Sequence, residues 1–264
     1  MPVSTAKDIH LAVELQACKG WQGREDFWNA VRIAIDDSGL IPLENRLIEV
    51  AGGRRARPVA ANPAEWFDGI HETRDEWDGR DFHRLKPQER FAAFLRAPLG
   101  EGWDTSDAVY GLPELMLFAN RYGDLYNVVE LGCTLLKPSQ NVSVQAAMER
   151  VEDVSRLLAG LCRKWAEGMR AEYAIVTNRD SLEIYGREVL NRVLKRVHWC
   201  NFYGPAYIER YGSETFMGAP GWRAEALGDG IWYQVREHFA DPEPKGLKER
   251  IKAHFAAAGF RVAA

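Results

Sequence analysis

The sequence predicts an α+β fold: a mixed or antiparallel sheet with helices packed on it, a late β-hairpin and a C-terminal helix. Three observations carry that expectation. Period-2 and helical-period apolar runs interleave along the 264 residues, but at uneven spacing rather than in repeated βαβ units. Two stretches, around Gly52-Gly53 and Gly228-Asp229-Gly230, read as tight turns between strands, which favours antiparallel pairing. The composition, 46% hydrophobic and 27% charged, suits a globular chain able to bury a sizeable core.

Taken in order, "DIHLAVELQ" (8–16) places Ile9, Leu11, Val13 and Leu15 on one face and reads as a strand. "REDFWNAVRIAIDD" (24–37) has helical spacing and stops at Ser38-Gly39. "NRLIEVAGGRRARPVA" (45–60) is a hairpin, and 63–84 is charged and irregular, with room for a short helix after Pro63. "KPQERFAAFLRA" (86–97) predicts a helix with Pro87 in its first turn, and 105–124 suggests a short helix after Pro113. "LYNVVELGCTLLK" (125–137) is a strand in which Gly132 marks a bulge or close packing.

Residues 141–168 carry the strongest helical pattern, with Val144, Ala147, Met148, Val151, Val154, Leu157, Leu158 and Leu161 on one stripe. A strand (171–178), a helix (181–197), the strand "HWCNFYG" and a short helix "PAYIERYG" with proline at its first position follow. The hairpin at 223–236 and an amphipathic helix in "DPEPKGLKERIKAHFAAAGF" complete the pattern. A composition break near Lys137–Asn141 divides an N-terminal α+β half (1–140) from a C-terminal half (141–264); we expect one continuous domain with a shared sheet.

The net charge of −4 is mild and argues against a general nucleic-acid binder, which needs clustered Lys and Arg. No signal peptide and no run of ~18 apolar residues is visible, so we expect a cytoplasmic chain with no membrane partner. The four cysteines, Cys18, Cys133, Cys162 and Cys200, are widely spaced, as expected of reduced core thiols.

No phosphate loop, GxGxxG, HExxH, GxSxG or zinc-type spacing is present, so neither a cofactor nor a metal is expected. Three constellations stand out. In "HWCNFYGPAYIERYG" (198–212), His198 and Cys200 are two apart, a spacing that lets a strand present both to one atom. The rings of Trp199, Phe202, Tyr203, Tyr207 and Tyr211 argue instead for core architecture. In "EWFDGIHETRDEWDGRDFHR" (65–84), His71 with Asp75, or Asp81 with His83, offers acid-base or metal partners. As a charge run it also reads as a solvated, salt-bridged loop. Better than catalysis, it suits a protein-binding surface: acids for steering, interleaved with Trp66, Phe67, Trp77 and Phe82 as anchors. Trp103, Asp104, Asp107 and Tyr110 extend that surface or form an ordinary loop.

The second half resembles bacterial polymorphic-toxin immunity proteins, in particular the immunity 52 family, over about residues 141 to 260. Three blocks carry the resemblance: "LLAGLCRKWAEGMRAEYAIVTN" (157–178), "HWCNFYGPAYIERYG" (198–212) and "WRAEALGDGIWYQVREHFADP" (222–242). The family's usual GWxxY strand stands here as "HWCNFYG". What the resemblance implies is a non-enzymatic α+β protein that binds a cognate toxin, often a nuclease delivered by contact-dependent or type VI secretion, and blocks it.

An acidic patch would plug a nuclease groove whose own field is positive. On that expectation the toxin-binding residues are Trp66, Asp75, Glu76, Trp77, Asp78 and Asp81, and no residue is catalytic. Two rivals remain open: a small hydrolase using His198 with Cys200 or the His71/Asp75/Asp81/His83 group, and a regulatory domain binding a small ligand near Trp199 and Trp232. The oligomeric state and the toxin's chemistry are not legible.

Overall fold

The computed structural model describes residues 9–16, 19, 26, 30, 33–34, 47–50, 57–58, 89–96, 114–121, 127–135, 144–178 and 196–260. Among them the strands form one ten-stranded sheet, numbered in chain order. These are β1 (Ile9–Gln16), β2 (Leu47–Val50), β3 (Arg57–Pro58), β4 (Glu89–Arg96), β5 (Glu114–Arg121), β6 (Asn127–Leu135), β7 (Tyr173–Asn178), β8 (Cys200–Tyr203), β9 (Arg223–Leu227) and β10 (Gly230–Gln234). Their spatial order is β3-β2-β4-β5-β6-β1-β7-β8-β10-β9, and every neighbouring pair is antiparallel. Four described helices accompany the sheet: α1 (Val144–Gly168), α2 (Pro205–Tyr211), α3 (Ser213–Met217) and α4 (Leu247–Ala257). The fold is therefore α+β, with the expected late hairpin and C-terminal helix.

β1 is the seam. Its period-2 pattern puts Leu11, Val13 and Leu15 on one face, and all three are fully buried in the larger core cluster. It pairs with β6 from Ile9↔Leu135 to Gln16↔Val128, and on its other side with β7 from Leu11↔Asn178 to Gln16↔Tyr173. Gly132 sits in regular register between Ala12 and Met116, so the ladder passes through it without a bulge.

α1 covers one face of the sheet, against β1, β7 and β8. Its apolar stripe explains why: Val151, Val154, Leu158, Leu161, Cys162 and Trp165 are buried, while Asp153, Arg156, Lys164 and Glu167 face outward. Arg170, at φ 51°, ends the helix in the left-handed region, and the Ala171 N–H donates to Ala166 O at 2.9 Å. On the opposite face, α2, α3 and α4 close a second cluster of Tyr173, Ile175, Tyr203, Tyr207, Phe216, Ile231, Tyr233, Ile251 and Phe255.

Two expectations are corrected. Residues 89–96, read as part of a helix, are β4, and 114–121, read as a short helix after Pro113, are β5. "FAAFL" is a continuous apolar run and "ELMLFAN" is rich in helix formers, so neither shows strand alternation. Their ladders decide: β4 lies between β2 and β5, and β5 between β4 and β6. The hairpin at 45–60 is present as β2 and β3, with Leu47 opposite Pro58. Of the expected helix at 24–37, the described residues Asp26, Ala30, Ile33 and Ala34 are helical. The expected helix at 181–197 lies outside the described residues up to 195, and Arg196 and Val197 are not helical.

Candidate functional site

The 198–212 segment is built from the backbone outward. His198 and Asn201 clasp each other: the His198 N–H donates to Asn201 Oδ1 at 2.9 Å and Asn201 Nδ2 donates to His198 O at 2.8 Å. That exchange delivers the chain into β8, whose residues are all buried. Gly204 then turns it into α2. An added Cβ there would lie 2.6 Å from Ala171 O and 2.8 Å from Glu172 Cα, so only glycine fits. Glu172 caps the helix: its Oε2 accepts the Ala206 N–H at 3.0 Å, and its carboxylate pairs with Lys19.

The two chemistry-bearing side chains diverge. Cys200 is fully buried in the α1-facing core, where desolvation, and then neighbouring Cys162, push its thiol well above the ordinary range, against a smaller pull from Arg163. A thiol held protonated is a poor nucleophile. The ring of His198 turns to β7, with Nδ1 3.1 Å from Thr177 Oγ1. Burial, and then Arg196, lower it from 6.5 to about 4.

Trp199 and Trp232, around which a ligand pocket was a rival expectation, are both core residues. Trp199 Nε1 donates to Arg236 O at 3.0 Å and its ring meets Phe239 edge-on at 5.4 Å. Trp232 carries the Arg163 guanidinium 5.3 Å above it. The opposite face holds a tyrosine nest: Tyr173, Tyr203 and Tyr207 lie with ring centroids 5.6–5.9 Å apart, and Tyr203 stacks on Phe216 at 4.3 Å.

A buried polar cluster escaped the sequence reading. Glu14, 7% exposed, lies in register with Glu130 on β6, and Gln16 Nε2 donates to its carboxyl. Burial, and then Glu130, push the Glu14 carboxyl up from 4.5 to about 8, against a smaller downward pull from Gln16. Alternation already set Glu14 and Gln16 opposite Leu11, Val13 and Leu15; what it lacked was any sign that this second face is covered too.

At the surface, the end of α3 and the chain leading into β9 display large apolar groups. Met217 and Trp222 are 48% and 46% exposed, and the Arg223 guanidinium lies 5.9 Å from the Trp222 ring. Next to them, β9 is the last strand of the sheet among the described residues. Among the described residues, no group of three or more His, Cys, Asp or Glu is placed to hold a metal ion, and no helix is long and apolar enough to cross a membrane. Trp66, Asp75, Glu76, Trp77, Asp78 and Asp81 lie outside the described residues, as do His71, His83, Trp103, Asp104, Asp107 and Tyr110. No protein-family model and no curated protein matches the chain.

Proposed function

We propose that this chain is an immunity protein: it binds a cognate secreted antibacterial toxin and neutralises it by occluding the active site. One observation carries the proposal furthest. The three sequence blocks that resemble the immunity 52 family, separated along the chain, come together as one subassembly. They supply the C-terminal part of α1 and the four consecutive strands β7-β8-β10-β9. In that subassembly the rings of 198–212 hold shape, and the outward-turned Trp222, together with exposed Met217 at the end of α3, is of the kind that anchors protein contacts.

The toxin is a nuclease or another effector of a contact-dependent or type VI system, met in a one-to-one complex of about 1,600 Å² or more. The form of the hydrolase rival that uses His198 with Cys200 needs a Cys200 thiolate, which the core environment of that thiol opposes; its other form, on His71, Asp75, Asp81 and His83, lies outside the described residues. The test is a search of the adjoining genes for a secreted protein ending in a toxin domain, followed by co-expression of that domain with this chain. A one-to-one complex and restored growth of the toxin-producing cells are expected. Purified chain that turns over a substrate, and stops doing so when His198 and Cys200 become alanine without unfolding, overturns the proposal.

A further inference from the structure

β9 closes one side of the sheet, with β10 on its inner flank. Its solvent side is open among the described residues: Arg223 and Ala226 are exposed, and Trp222 just before it is 46% exposed. In an antiparallel ladder closed by a two-residue turn, alternate residues exchange both backbone bonds with the opposite strand. Counting from Leu227 and Gly230, those are Leu227, Glu225 and Arg223. The N–H and C=O of Ala224 and Ala226 are thereby directed away from β10, toward whatever lies beside the edge.

Charge alternates along the same strand. Arg223 and Glu225 share the face toward α1, where Glu225 pairs with Arg163 and with Arg223. Such charges commonly guard an edge against pairing. Here their order makes the edge complementary to itself. A two-fold axis through Ala224 sets each Arg223 opposite Glu225 of the other copy, twice, as closely approaching cross-strand pairs. It also brings Trp222 of each copy level with the small, exposed Ala226 of the other. A two-fold axis through Glu225 would instead oppose two like carboxylates, and one through Ala226 would oppose Glu225 to Leu227.

We propose that β9 is a self-association edge, at which two copies of this chain pair antiparallel about Ala224 and continue the sheet from one molecule into the next. This goes beyond the immunity reading and does not depend on it. Pairing through a five-residue strand makes a small interface, so the dimer is reversible and is sought at concentrations of roughly 10–100 µM.

Sedimentation velocity of the full chain over that concentration range tests it. The wild type is expected to shift from monomer to dimer. Ala224→Pro, which removes an outward N–H and leaves the backbone bonds to β10 in place, should remain monomeric; since Ala224 packs against the second cluster, its melting temperature is measured alongside to confirm that it is folded. Arg223→Glu and Glu225→Arg should each weaken the dimer at least ten-fold when alone, and an equal mixture of the two should restore it, acidic edge against basic edge. Should Glu225→Arg fail to fold beside Arg163, Arg223→Glu and Ala224→Pro decide the matter. A wild type that stays monomeric throughout, which would leave the edge to a foreign strand, overturns the proposal, as does a dimer that survives Ala224→Pro.

Discussion

Glu14 and His198 are ionisable groups that the fold keeps neutral, and they tilt the stability of the molecule in opposite directions. The native Glu14 carboxyl releases its proton near 8 rather than 4.5. Over that interval the native state binds the extra proton, so its contribution is whole below about 4.5 and is lost as pH rises to about 8. The native His198 ring takes up its proton near 4 rather than 6.5. Its contribution is whole above about 6.5 and is lost as pH falls toward 4. Each site has a slope of about 1.4 kcal/mol per pH unit where it acts. Between 4.5 and 6.5 the two slopes cancel, and above 6.5 Glu14 acts alone. Urea melts across pH 4–8 should therefore show a plateau followed by a decline. Glu14→Gln should flatten the decline, and His198→Phe should make stability fall through the plateau as pH rises. A Glu14→Gln profile parallel to the wild type would mean that the carboxyl is ionised in the native state.

At the scale of elements, the β9–β10 hairpin depends on one position. A Cβ on Gly230 would lie 2.7 Å from the Tyr203 carbonyl and would enter the ring of Phe202. Backbone cannot retreat there, because β8 and β10 are paired through Ile231↔Tyr203. Gly230→Ala is therefore expected to destabilise by about 3 kcal/mol or more, read as a lowered denaturation midpoint. Asp229→Ala, an exposed neighbour in the same turn, should change it little. The hairpin was legible in the sequence because turn chemistry is local. So were β1, β6, α1 and α4, whose spacing has a single period. β4 and β5 were not, since an Ala- and Leu-rich run adopts the conformation its neighbours offer, and those neighbours are distant in sequence. The Glu14–Glu130 cluster failed for a related reason: burial of a second face depends on what crosses it, which no window around Glu14 contains.

For the molecule as a whole, the acidic-aromatic stretch at 65–84 gives the immunity reading a prediction of its own. Reversing the charge of Asp75, Glu76 and Asp78 together should slow toxin association by at least ten-fold at low salt, with a smaller effect at high salt. Stopped-flow association measured at two ionic strengths reads this directly, and an unchanged on-rate with full protection of cells would move the contact surface elsewhere. His198 and Cys200 were legible as a pair, yet burial separates their fates, because spacing along a strand says which groups share a side and not what surrounds them.

The position of β1 between β6 and β7 also bears on biosynthesis. β1 leaves the translating machinery before either partner strand, and Leu135 and Asn178, the far ends of its two flanking ladders, emerge more than a hundred residues later. At ~5–20 residues per second, the strand waits on the order of ten seconds with both of its edges unsatisfied. During that interval it is a natural handle for chaperones, and the chain cannot lock its interior until synthesis has moved well into the second half.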